Sequence, residues 1–296
     1  MITTNAAKAP AKEKKTLSRS ARNRIGNSIR YVVLIILALF AFFPMYWIAQ
    51  TGFKEYSEII NLEKVTYWPH NWTLENFKQL FVEFKYFTYV GNTVKVGCIT
   101  GAIVVGLTSL GGYGLARYKF KGKAAVTGIF LLVQIAPVML SQIPIYAMFS
   151  KMGLIGTHTG LTMLFISMSV PFNTVTMRSF FERVPVAIEE AAFVDGCNRV
   201  QTLFKIVLPN LKPGLVTVFI NGFTLAWNDI ITATLFVQTR SKWTVNVGLK
   251  SLIGKVSIDW GQLMAGAFLT MIPSIILFIV TQKALVSGSP MGSVKG

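Results

Sequence analysis

The chain has 296 residues, with 29 Lys and Arg against 12 Asp and Glu and a formal charge of +17. Hydrophobic residues make up 52% and charged residues 14%, where ordinary soluble domains carry about 25% charged residues. That much apolar surface exceeds what a water-soluble globule of this size can hide, and it excludes a disordered chain as well. The composition leaves an all-α polytopic membrane protein.

The basic residues do not form one patch of the kind that binds nucleic acid. They lie between apolar runs, as topology signals do. Residues 1–28 form a basic tail rich in Lys, Ala and Ser, expected to be disordered on the cytoplasmic side near anionic lipid. A bilayer core takes about 20 apolar residues per helix, and six runs qualify: about 30–50, 89–116, 124–149, 159–181, 214–237 and 261–285. The first is expected to be an uncleaved span rather than a signal peptide, because Pro44-Met45-Tyr46-Trp47 makes a poor cleavage site. The tail, the loops 117–123 and 178–213 and the C-terminus collect most of the Lys and Arg. Both termini are therefore expected to be cytoplasmic. The loop 53–88, with Trp68 and Trp72 near its middle, is expected outside.

Span 2 is crowded with small residues, and Gly97 and Gly101 form a GxxxG. That pattern lets helix backbones pack closely, either within this chain or against a second membrane subunit. Pro44, Pro137, Pro144, Pro171 and Pro273 interrupt spans 1, 3, 4 and 6 and tend to kink them. Asp229 falls well inside span 5, where insertion scales charge a carboxylate about 2.5–3.5 kcal/mol. In the string Trp227-Asn228-Asp229, a flat apolar face stands beside polar donors and acceptors. The set suits a sugar ring and its hydroxyls, or equally a polar network fixing span 5 to its neighbours. Cys98 lies in an apolar run and Cys197 in a polar loop, so no disulfide framework is implied.

No P-loop, HExxH, GxSxG or Cys/His cluster occurs, and nothing in the residues points to an enzyme. The loop 182–213 reads ERVPVAIEEAAFVDGCNRVQTLFKIVLPNLKP. Pro185 can open a helix, Glu189 and Glu190 suit its first turn, and Ala191 and Ala192 leave a smooth face. Gly196 can turn the chain. A second helix follows through Val200, Leu203, Phe204 and Val207, with Pro209 expected to stop it. Two short helices joined at a glycine would then project from the membrane.

Glu190-Ala191-Ala192, three residues, Gly196, nine residues, Ile206, one residue and Leu208-Pro209 match the EAA signature in identity and spacing. On this motif the chain resembles the permeases of binding-protein-dependent ABC importers. From about residue 28 onward it is similar to the carbohydrate-uptake, MalG-like branch. Phe43-Pro44, Asn92-Thr93, Gly114-Leu115-Ala116-Arg117-Tyr118, Trp227-Asn228-Asp229 and Val294-Lys295-Gly296 recur in order. The resemblance implies a type I ABC importer permease (MetI/MalG-like) fold over residues 29–296, with six transmembrane helices, the first wrapping around a partner. It implies a bacterial inner membrane location and a sugar, specifically oligosaccharide, as cargo.

The implied partners are a MalF-like second permease, a MalK-like ATPase homodimer and an extracytoplasmic solute-binding protein. ATP and Mg would be used by the ATPase subunits, and this chain would bind no cofactor. Residue by residue, Glu190 would pair with a basic group in the ATPase groove, Ala191 and Ala192 would allow close docking, and Gly196 would set the bend. Glu189, Asp195, Ile206, Leu208 and Pro209 complete the implied coupling set. Ser293, Val294, Lys295 and Gly296 match a tail that reaches the ATPase interface. The external loop 239–260 corresponds to one that meets the binding protein. Trp227, Asn228 and Asp229 are the candidates for the substrate pathway. The rival readings are a secondary transporter driven by an ion gradient, for which no internal repeat is apparent, and a channel subunit.

Overall fold

A computed structural model describes residues 19–61, 63–135, 138–254 and 257–287. Most of the basic tail, Pro137, Lys255 and the stretch Ser293, Val294, Lys295 and Gly296 lie outside the described residues. The chain divides into two units, Met1–Trp47 and Ile48–Gly296. The first consists, as far as it is described, of the greater part of α1 (Arg19–Gly52). Its apolar side chains from Tyr31 to Phe43 are exposed, as a lipid-facing or partner-facing surface would be.

The second unit continues with α2 (Tyr56–Ile59), α3 (Glu75–Val82), α4 (Tyr86–Arg117), α5 (Lys123–Ile135), α6 (Val138–Lys151) and α7 (His158–Glu182). Then come α8 (Val186–Val194), α9 (Arg199–Gln201), a π-helical turn (Thr202–Val207) and α10 (Leu208–Asn210). After α11 (Lys212–Asn228) and α12 (Ile231–Phe236), a 3₁₀ turn (Arg240–Lys242) leads to α13 (Val245–Lys250) and α14 (Trp260–Ser287). Among the described residues the β structure is limited to isolated bridges, Lys54–Trp72 and Ile253–Ile258.

Among the described residues, four helices are long and apolar enough to cross a membrane, and bent helix pairs raise the number to six if each pair is one span. Pro44, Pro144, Pro171 and Pro273 sit inside helices that continue through them.

The bundle is organised around α4, which packs along α7 and α11. The reason is its small-residue face. A Cβ at Gly97 would lie 2.9 Å from the Phe223 ring, one at Gly101 2.8 Å from the Phe219 carbonyl oxygen, and one at Gly112 2.9 Å from the Arg178 amide nitrogen. The GxxxG is thus used inside the chain, to bring α11 against α4 at backbone distance. Two buried hydroxyls of α4 are satisfied locally: Thr93 Oγ1 donates to the Tyr89 carbonyl at 2.8 Å and Thr108 Oγ1 to Val104 at 2.7 Å. A polar group that closes its own hydrogen bond within a helix costs little in an apolar setting.

Span 5 departs from expectation. The helix does not run unbroken over 214–237: α11 ends at Asn228 and α12 begins at Ile231. Asp229 stands at the break, with extended backbone. Its Oδ1 accepts from the Ala233 amide at 2.7 Å and its Oδ2 from Thr232 at 3.4 Å. A carboxylate capping the first turn of a helix is stabilised by the amides that would otherwise lack partners. Span 3 is likewise divided, into α5 and α6.

The segment between α1 and α4 folds on itself. Asn76 Nδ2 donates to the carbonyls of Gly52 and Lys54 at 2.9 and 2.8 Å. Glu58 accepts from the Thr66 hydroxyl and from the His70 amide. Trp68 and Trp72 stack edge to face at 5.2 Å and are largely exposed, as residues at a membrane interface would be.

Candidate functional site: the loop between α7 and α11

The loop is built in two arms. Pro185, extended at φ −58° and ψ 133°, precedes α8 and sets its first turn. Gly196 then takes φ +84°, a conformation that L side chains rarely adopt. The second arm opens on a capping box. Asn198 Oδ1 accepts from the Gln201 amide at 2.9 Å, and Gln201 Oε1 accepts from the Asn198 amide at 3.0 Å. The helix does not stop at Pro209, as expected, but runs to Asn210. The preceding turn is π-helical, with the Leu208 amide reaching the Leu203 carbonyl. Pro209 has no N–H to offer, and the Asn210 side chain donates to the Ile206 carbonyl at 2.7 Å.

The two arms have an inner and an outer side. Leu203 and Val207 are buried in one cluster with Val104, Tyr113, Met177 and Phe181, against which Leu208 packs. Val200, Phe204 and Val194 lie outside, Val194 with 88% of its surface exposed. The helical spacing of Val200, Leu203, Phe204 and Val207 therefore covers two environments. Glu190 and Ala191 on α8, and Asp195 and Gly196 just beyond it, are exposed, whereas Ala192 is buried and unavailable as a docking face. Ile206 is half-buried and Pro209 exposed.

Glu189 is also an inner residue, 4% exposed. Its Oε1 receives Arg117 Nε at 2.6 Å and its Oε2 the Tyr113 hydroxyl at 2.9 Å. Arg117 Nη2 donates in addition to the Val184 carbonyl at 2.8 Å. Arg117 is itself only 12% exposed, so the charges are desolvated together and each depends on the other. On the second arm, Arg199 lies over the Tyr118 ring at 5.3 Å. Glu190, by contrast, has no hydrogen bond or ion pair to any described residue.

Sequence reasoning missed Arg117 and Tyr113. Arg117 counted as a loop charge, although a basic residue ending a membrane helix, with a carboxylate expected in the next cytoplasmic loop, was a signal that could have found it.

A second candidate site lies between α7 and α11, in a cleft of about 580 Å³. Ser169, Asn173, Asn221, Thr224, Asn228 and Asp229 supply its polar lining. Asn221 Nδ2 donates to Asn173 Oδ1 at 3.1 Å, and Asn173 Nδ2 to Ser169 Oγ at 2.8 Å. Two of the three sequence candidates meet here. Trp227 does not line the cleft: it is 2% exposed, stacked on Phe223 at 5.6 Å. It turns inward because the apolar ring is better placed in the bundle core than on a polar cleft. Ser169, Asn173 and Asn221 were not anticipated. Single Asn and Ser residues in apolar runs carry no spacing signal.

Comparison with known proteins agrees with this architecture. A family model described as "Binding-protein-dependent transport system inner membrane component" matches residues 103–288. An inner membrane ABC transporter permease protein of Escherichia coli (strain K12), YcjP, is 33% identical over 97% of this chain and 100% of its own length. The diacetylchitobiose uptake system permease protein DasC of Streptomyces coelicolor is 34% identical over 95% of this chain and all of its own. In three dimensions the chain matches a chain from the crystal structure of a bacterial ABC transporter involved in importing the acidic polysaccharide alginate. The TM-score is 0.75 at 24% identity, over 91% of this chain and 99% of the other. That likeness shows the type I importer permease fold.

Proposed function

The chain belongs to the family of inner membrane components of binding-protein-dependent transport systems, and from that premise we propose that it forms half the translocation pathway of an ATP-driven oligosaccharide importer. As a permease of this family it is a multi-pass inner membrane protein that works with a second permease, ATPase subunits and a binding protein. The finer reading is that the second permease is MalF-like, contacted by the exposed face of α1, and that the ATPase is a MalK-like homodimer. Residues 1–28 are then a cytoplasmic tail, residues 29–296 the permease domain, and both termini cytoplasmic. ATP and Mg belong to the ATPase subunits, with no cofactor on this chain.

The observation that carries the coupling assignment is the division of the 185–210 loop. Its inner residues anchor it to the bundle, while Glu190, Ala191, Asp195 and Gly196, flanked by the exposed Val194, Val200 and Phe204, face outward. A free carboxylate amid apolar contacts is what a basic groove on another protein needs. ATP-driven closure of the ATPase dimer would push on this face. Ser293 to Gly296 are proposed as a further contact with the ATPase, and the loop 239–260 as a contact with the binding protein.

The sugar assignment rests on relatives whose names carry a sugar cargo, and on the cleft in which the amides of Asn173, Asn221 and Asn228 stand beside the Asp229 carboxylate. Amides both donate and accept, as hydroxyl recognition requires. Purification of the tagged chain from its own host tests the function. An ATPase and a second permease should come with it, and Glu190→Lys should release the ATPase while keeping the permease pair. Recovery of the chain alone from intact membranes would argue for a secondary transporter or channel instead.

A further inference from the structure

We propose that Arg117 is a positioning residue that locks the 185–210 loop to α4, so that loop and helix move as one rigid body. The proposal rests on the reading of that loop as the ATPase contact.

The covalent route from α7 into the loop passes through Arg183, Val184 and Pro185, and Pro185 is extended. A loop held only there could swivel when pushed, and the push would be lost before reaching the membrane helices. The side chains supply the missing constraint. Arg117 ends α4 and bridges two points of the loop entry, the Glu189 carboxylate at 2.6 Å and the Val184 carbonyl at 2.8 Å. One planar guanidinium can do this because its donors diverge in a fixed fork. Tyr113, one helical turn back, holds the second carboxylate oxygen at 2.9 Å, and its ring rests edge-on against Phe181 of α7 at 5.4 Å. The second arm is tied to the same helix end, with Arg199 over Tyr118 at 5.3 Å. The end of α4 thus touches both arms and the helix from which they emerge.

The helix so gripped is the central one. Through Gly101 and Gly112 it meets α11 and α7 at backbone distance, and Gly97 receives the Phe223 ring; surfaces packed that closely transmit displacement rather than absorb it. Glu189 and Glu190 then divide the work: the outer carboxylate receives the motor, and the inner one, through Arg117, passes the motion to α4.

The chain's own cysteines offer a test, since Cys98 lies on α4 and Cys197 beyond Gly196, and both are free. The complete complex, with cysteine-free partner subunits, is spin-labelled at Cys98 and Cys197. The distance between the labels is then measured in the nucleotide-free and the ATP–vanadate states. The wild type should give one narrow distribution, the same in both states. Arg117→Ala should broaden it and shift it on adding nucleotide. Arg117→Lys, too short to reach both oxygens, should do so partially, and it serves if the alanine variant does not assemble. A wild-type distance that changes with nucleotide overturns the proposal, as does an unchanged narrow distribution in whichever variants assemble. Assembly of neither variant would assign Arg117 to folding and overturn it too. Glu190→Lys separates this proposal from its premise. If that variant keeps its ATPase, the docking reading fails; if it loses the ATPase while the Arg117 variants stay rigid, only the present proposal fails.

Discussion

Glu189 and Glu190 are neighbours in the chain and occupy opposite environments. The first is buried and shared between Arg117 and Tyr113; the second stands exposed without a partner on the described residues. Consecutive helical residues are rotated by about 100°, so a pair of carboxylates can serve an inner and an outer surface of α8 at once.

Stability should separate them. Glu189→Ala strands Arg117 in a buried site, a change that costs about 3–5 kcal/mol, and the thermal midpoint of the purified chain should fall clearly. Glu190→Ala should lie within about 0.5 kcal/mol of wild type in the same melt, while ATPase co-purification declines. Equal melting of the two variants would refute the division.

Gly101 should tolerate no side chain. Alanine there brings a methyl group against the Phe219 carbonyl, and overpacking of this kind costs about 1–3 kcal/mol. Gly106, on the same helix with nothing within 4 Å of a built Cβ, is the control: Gly106→Ala should leave the melt unchanged or slightly raise it, since alanine favours helix.

Asp229 should act as a cap. Asp229→Ala removes acceptors from the first turn of α12 and should cost about 1 kcal/mol, read as faster hydrogen exchange at the Ala233 amide. Asp229→Asn can still cap and should exchange nearly as slowly as wild type. If both variants exchange like wild type, the carboxylate does not hold the break.

Acid should loosen the segment between α1 and α4. Desolvation alone would raise the Glu58 carboxyl, but the Thr66 hydroxyl, the His70 amide and the nearby Lys54 and His70 charges outweigh it and hold the group below its ordinary value of 4.5. A depressed carboxylate contributes stability above its unfolded value and loses it as pH falls through the folded one. The fluorescence of Trp68 and Trp72 should therefore change with a midpoint below 4.5, and Thr66→Val should move that midpoint upward. A midpoint at or above 4.5 in the wild type would contradict the assignment.

The spans and the loop were legible because they rest on strong local signals. A run of about 20 apolar residues needs no tertiary knowledge, and Pro185, Gly196 and Asn198 mark helix ends by their own backbone chemistry. The inner side of the loop was not legible, because the Arg117–Glu189 contact joins residues 72 apart. Spacing cannot say which of two adjacent glutamates turns inward. The break at Asp229 was hidden for a related reason. Its neighbours are apolar enough to continue a helix, and only the local hydrogen bonds to Thr232 and Ala233 reveal that the carboxylate ends one helix and starts another. Trp227 misled because its ring suits a sugar and a core equally well.

The most direct test of the account is a cross-link from the loop to the motor. Ala191→Cys, placed on the exposed side of α8 in a chain whose Cys98 and Cys197 are replaced by serine, is labelled in the native membrane complex with a thiol-reactive benzophenone, which on irradiation inserts into C–H bonds of whatever protein surface lies against it. A covalent adduct between this chain and the ATPase subunit is expected, and none when the cysteine is instead placed at Gly106 in α4. Quantitative labelling of the introduced cysteine on α8 with no adduct to any nucleotide-hydrolysing subunit would contradict the coupling assignment.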